Sequence, residues 1–148
     1  MQANANAETA ERLNRRRARM LPVLALFVMI QQAAYYTSVD GQRPVDMVRN
    51  SGWMMLVAVI LAGLLTGGFW FRSREVRELM NDEVTRAHRD SALVWGFTAA
   101  IVAGIVLFAI ESFTTDGATA REVIHIIVSS GLVTALMRFG YLERRALG

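Results

Sequence analysis

The residues best able to do chemistry are few, and they sit near the ends of long apolar runs. Glu122-Val-Ile-His125 has the Glu-x-x-His spacing on which carboxylate-bridged metal centres are built. Side chains at i and i+3 leave a helix on one face, so such a pair can share an ion. Glu111 is a candidate third ligand. A di-metal centre needs two such motifs, however, and the chain holds one. Ordinary structural roles cover the same residues. Glu122 is the capping-box partner of Thr119 in Thr119-Ala-Arg-Glu122, and His125 can hydrogen-bond Glu111, Gln31 or a serine. Gln31, Gln32, Glu111, Glu122 and His125 together form a candidate intramembrane polar cluster, because polar groups at membrane depth are costly and point to function by default.

Other chemistries lack their parts. His88 lies on the opposite side of the apolar runs from His125, so the two cannot ligate one haem. Ser129 and Ser130 have no lysine to act as base, and His125 is poorly spaced on the same helix. With no cysteine there is no disulfide, thiolate metal site or iron–sulfur cluster. No catalytic residue, metal or cofactor is expected, and the chain reads as a non-enzyme.

The one long charged segment in the body of the chain is Arg72–Asp90, RSREVRELMNDEVTRAHRD. Val76, Leu79, Met80, Val84 and Ala87 recur at helical spacing, and Arg74/Glu78, Asp82/Arg86 and Arg86/Asp90 are opposite charges at i, i+4. Asn81 before Asp82 and Glu83 reads as a capped helix start, with acids against the positive end of the dipole. The segment is therefore expected to form a helical cytoplasmic hairpin over residues 72–90. Asp82, Glu83, Arg86, His88 and Arg89 are its candidate partner-binding residues. The alternative is that the apolar stripe zips the two extensions together and the charges are merely solvated.

These residues must be positioned by membrane helices. The chain of 148 residues is 53% hydrophobic, and its apolar residues are gathered in blocks. Ser51–Phe71 and Ser91–Ile110 carry no charge, and each has the ~20 residues that cross a ~30 Å hydrocarbon core. Met20–Thr37 contains Pro22, tolerable in a first turn, and Val123–Met137 reaches spanning length if Arg138 snorkels. Four spans follow, at about residues 20–37, 51–71, 91–112 and 120–142, in a single membrane domain covering 1–148. Residues 1–18 form a basic tail whose first part, Met1–Glu11, is expected to be disordered. The first span is read as an uncleaved anchor rather than a signal peptide.

All sixteen basic residues are arginine. Only Arg43, Arg49 and Arg121 fall in the connections after the first and third spans, and the other thirteen flank the opposite side. That is the positive-inside pattern, so both termini and the central segment are expected in the cytoplasm. It also explains the net charge of +3 without nucleic-acid binding and favours anionic lipid head groups. Tyr35, Tyr36 and Trp53 would mark the outer interface, and Phe69, Trp70, Phe71 and Tyr141 the inner one. Gly63-Leu-Leu-Thr-Gly67, the ladder Gly96/Ala100/Gly104 and the pair Gly131/Ala135 are small-residue packing devices. They suit packing within one chain and homo-oligomer contacts equally.

At Asn81-Asp82-Glu83-Val-Thr-Arg86-Ala-His88-Arg89-Asp-Ser-Ala92 the sequence resembles a group of small, uncharacterised bacterial four-helix membrane proteins. In these an Asp-Glu pair, then a basic residue and an alanine, lead into an apolar span. Members are often encoded beside helix-turn-helix regulators, so the resemblance implies a bacterial inner-membrane protein that holds a cytoplasmic regulator. The expected fold is all-α, a four-helix transmembrane bundle with both termini inside. The expected function is binding or sequestering a cytoplasmic regulator, or serving as an accessory subunit of a membrane complex. The alternative is a small oligomeric transporter or channel built around the outer polar cluster.

Overall fold

The computed structural model describes residues 2–36, 44–67, 82–114 and 117–147. Their regular structure is entirely helical: α1 (Gln2–Tyr36), α2 (Pro44–Thr66), α3 (Glu83–Glu111) and α4 (Ala120–Ala146). Each contains a stretch long and apolar enough to cross a membrane. Large apolar side chains such as Phe97, Ile105 and Phe108 are exposed, as a lipid-facing surface requires. The expected all-α bundle of four helices is what forms.

Helix α4, the last in sequence, is the centre of the bundle. It packs along its length against α1 and α3, antiparallel to both, and touches α2 at only a few points. Buried or half-buried positions on α1 run Ala18, Leu21, Ala25, Val28, Gln32, Tyr35. The facing positions on α4 run His125, Ser129, Leu132, Leu136, Phe139, Glu143. Both alternate steps of three and four, the period of a coiled-coil seam. The middle of the seam is apolar, with Val28 and Leu136 fully buried, and each end is polar.

The α3–α4 crossing depends on the absence of side chains. A β-carbon on Gly96 would lie 2.7 Å from the Gly131 carbonyl oxygen and 2.8 Å from the Ala135 β-carbon. One on Gly131 would lie 3.1 Å from the Ala100 β-carbon. The two small-residue ladders therefore meet each other inside the chain, where close backbone approach maximises van der Waals contact. Arg138 of α4 lays its guanidinium over the Trp95 ring of α3, at 5.5 Å.

Several boundaries depart from expectation, each for a local reason. Helix α1 begins at Gln2 rather than after a disordered tail. Its early residues are rich in alanine, and Arg12/Glu8 and Arg15/Glu11 form i, i+4 pairs at 3.7 and 2.6 Å. Pro22 thus lies inside α1 and not in its first turn. Its missing N–H deprives the Ala18 carbonyl of its helical donor, and Arg144 Nε of α4 donates to that carbonyl instead, at 3.1 Å. The Pro22 ring also closes on Gly140, where a β-carbon would lie 3.1 Å from Pro22 Cδ.

Helix α2 is shifted towards its N-terminus. The turn expected over Pro44–Arg49 is continuous with it, and it stops at Thr66 because Gly67 takes φ 80°, a left-handed conformation natural to glycine. The Gly63/Gly67 motif is therefore not used within the described residues, and Gly63 faces open space. The expected continuation to Met80, the inner aromatic group Phe69–Phe71 and residues 72–81 of the hairpin lie outside the described residues. The rest of the hairpin is the start of α3, whose N-cap is Asp82, one residue beyond Asn81.

Gly96→Leu should force α3 from α4 and lower the unfolding temperature in mild detergent, by a cost on the order of 1–3 kcal/mol. Gly63→Leu, placed in open space, should leave it nearly unchanged. Equal effects at the two positions would show that the crossing is not the constraint described.

Candidate functional site

The most elaborate polar site lies where the N-terminal halves of α1 and α3 meet the end of α4. Arg17 donates through Nη2 to Glu143 Oε2 in a close ion pair, and to Thr85 Oγ1 at 3.3 Å. His88 Nδ1 faces Glu143 Oε1 at 3.1 Å. An ionised carboxylate only accepts, so His88 must donate from Nδ1 whether neutral or charged. Arg17, Thr85 and Glu143 are only 9%, 6% and 5% exposed. The Arg17 guanidinium also stacks 5.3 Å from the centre of the Phe139 ring. One carboxylate thus joins three helices.

Asp82 borders this cluster and closes α3. The Thr85 backbone N–H donates to Asp82 Oδ1 at 2.8 Å. That bond, chiefly, holds the Asp82 carboxyl below its ordinary value; partial burial opposes it, and Arg17 and His88 add attraction.

The five candidate partner-binding residues therefore divide. Asp82 is exposed but engaged as a cap, and His88 turns inward to Glu143. Arg89 is half-buried, while Glu83 and Arg86 are exposed on the first turns of α3. Nothing in the charge pattern singled out Arg17 among its neighbours, or Glu143 at all. The available signal was seam register: Glu143 continues Leu132, Leu136 and Phe139, and Arg17 stands one turn before Leu21.

At the other end of the same seam His125 is 5% exposed and lies between two rings. Tyr35 stacks on one side at 4.2 Å between centroids, Trp53 of α2 on the other at 3.8 Å. These two aromatics turn inward, whereas Tyr36 is exposed. Ser129 Oγ donates to Gln32 Oε1 at 2.8 Å, and His125 Nδ1 and Gln32 Nε2 are buried with no hydrogen-bond partner. His125 is thus held by stacking, not by Glu111, Gln31 or a serine. Glu111 ends α3 with Oε1 buried and unpartnered, and Gln31 is half-buried. Glu122 does form the capping box: its Oε2 accepts from the Thr119 N–H at 2.7 Å and hydroxyl at 2.9 Å. Among the described residues, no three His, Asp or Glu side chains converge as a bound metal ion requires.

By length and composition the four helices define a multi-pass membrane protein. No family model, curated protein or solved structure matches the chain.

Glu143→Leu leaves Arg17 buried without its counter-ion and should cost about 3–5 kcal/mol, whereas Arg17→Met with Glu143→Leu should recover most of that. Unfolding in mild detergent measures both, and a double variant no better than the single ones would remove the pair's role. Asp82 supplies a pH signature. Because its value is lowered in the folded state, its stabilisation is present at neutral pH and is lost as pH falls through that lowered value. Asp82→Asn keeps the cap without the charge, so its stability should fall less steeply in acid than that of the parent.

Proposed function

We propose that this chain is a non-enzymatic inner-membrane protein of a bacterium. It presents the first turns of α3 to a soluble cytoplasmic protein, a regulator of the kind its resemblance implies, or to a larger membrane complex. The observation that carries this reading is the buried Arg17–Glu143–His88 cluster. It fixes the entry of α3 to α1 and α4, so that exposed Glu83 and Arg86 project from a rigid base. Preorganised charges of both signs suit recognition of a complementary protein surface. The docking pair is thus Glu83 and Arg86, with Asp82 and His88 acting as supports.

The same end gathers the arginines. The five arginines of α1 between Arg12 and Arg19, Arg86 and Arg89 of α3, and Arg144 and Arg145 of α4 lie together, while Arg49 and Arg121 lie at the other end. The positive-inside tendency then supports cytoplasmic termini. A single cysteine can be introduced into this cysteine-free chain for labelling with an impermeant thiol reagent. Leu147→Cys should react only when the cytoplasmic face is open; labelling of intact cells would overturn the orientation.

The docking test is capture from native membranes in mild detergent. A soluble protein held by the parent should be lost with Glu83→Arg/Arg86→Glu and kept with Arg121→Gln. The same proteins captured by all three would end the proposal. A transporter or channel would need self-association, because Val28 and Leu136 close the seam within one chain. Gly63, facing open space on α2, is the packing device available for it. A strictly monomeric protein in bilayers would remove that alternative.

A further inference from the structure

Helix α1 carries a second surface, independent of the docking surface on α3. Arg16 and Arg19 are exposed and form no ion pair among the described residues. Arg17 between them is committed to Glu143. Arg12 meets Glu8 only at 3.7 Å, with both side chains largely exposed. Two hollows run along this stretch and share Leu13, Arg16 and Met20. One, of about 720 Å³, is bordered by Arg12, Arg19 and Glu8. The other, of about 220 Å³, continues past Leu21 to Leu24 and is almost wholly apolar.

The spacing explains this arrangement. Arg12, Arg16 and Arg19 recur at i, i+4 and i+7, and Leu13, Met20 and Leu24 form the neighbouring stripe. Depth follows from the helix itself. From Arg16 to Tyr36 α1 rises about 30 Å, taking ~1.5 Å per residue, which matches the hydrocarbon thickness. With Tyr36 at one interface, Arg16 and Arg19 reach the phosphate level of the other, and Leu24 lies below them among acyl chains.

We propose that this composite groove binds one anionic phospholipid of the arginine-side leaflet. Arg16 and Arg19 hold the phosphate, with Arg12 flanking, and one acyl chain lies along Met20 and Leu24. Charge and shape select this occupant together. Guanidinium groups take phosphate in bidentate fashion, and the apolar continuation offers nothing to a soluble anion. A nucleic acid or acidic protein would use the arginines and leave the lower hollow empty.

The test is native mass spectrometry of the full chain from mild detergent, titrated with phosphatidylglycerol or phosphatidylcholine. Phosphatidylglycerol should bind in preference. Arg16→Gln/Arg19→Gln should weaken that binding roughly thirtyfold, from about one tenfold step or slightly less per arginine at a membrane surface. Arg121→Gln, at the far end, should leave it unchanged. Met20→Asn keeps the charges but interrupts the apolar hollow, and should weaken phosphatidylglycerol without affecting glycerol phosphate. Circular dichroism verifies that each variant remains helical, and Arg16→Lys/Arg19→Lys, the gentlest change, should retain most of the binding. Equal binding of the two lipids would overturn the proposal. So would equal losses at Arg121 and at Arg16/Arg19, or glycerol phosphate binding as tightly as the intact lipid. None of these outcomes bears on capture of a soluble protein by Glu83 and Arg86, so the two proposals fail separately.

Discussion

A cation and a carboxylate, each more than nine-tenths buried, fix the end of this bundle where α1 and α3 meet the close of α4. Removing both from water is expensive, and the attraction between them offsets that cost only when the remaining donors and acceptors are also satisfied. Here Thr85 and His88 from α3 and the Phe139 face from α4 surround the pair, although the Arg17 Nε–H finds no hydrogen-bond acceptor among the described residues. The pair therefore does less for net stability than for uniqueness. A change of register between α1 and α4 would part Arg17 from Glu143, so the pair favours the register observed.

Elsewhere the same pressure to satisfy polar groups in a poor solvent is met by different means. The carbonyl of Ala18, released by Pro22, takes a donor from the neighbouring helix rather than from water. Glycines let α3 and α4 approach until their backbones nearly touch. At the opposite end of the seam aromatic stacking, not hydrogen bonding, immobilises His125. Helix α2 joins the bundle through Ile60 and Leu64, buried in the apolar core, and through Trp53 stacked on His125, and an apolar cleft of about 390 Å³, lined by Leu61, Phe97 and Leu132 among others, opens along its side.

Much of the fold was legible in the sequence because its causes are local or compositional. Charge-free runs of spanning length need no partner to be recognised, and the Thr119/Glu122 capping box is complete within four residues. The ladders Gly96/Ala100/Gly104 and Gly131/Ala135 were readable as packing devices, although only the structure shows that they pack on each other. What escaped depends on distant neighbours. Arg17 and Glu143 lie 126 residues apart in sequence, and each alone looks like an ordinary interfacial charge. From the sequence His88 reads as a partner-binding residue for the same reason: its acceptor comes from another helix. The end of α2 at Thr66 was not legible, because hydropathy measures tolerance of the membrane and is blind to the left-handed turn at Gly67.

Helix α4 is the hub and follows both of its main partners, α1 and α3, in the chain, which sets an order for biosynthesis. When α1 and α3 enter the bilayer, the surfaces they will bury, including the Arg17 side chain and the Gly96 crossing, have no counterpart. Their counterpart is made only after α3, when Leu132, Leu136 and Glu143 emerge. The earlier helices must wait as independent spans, each stable in lipid on its own hydropathy, and the bundle closes around the newcomer. Most of the packing between the described helices thus waits until α4 has followed α1 and α3 into the bilayer.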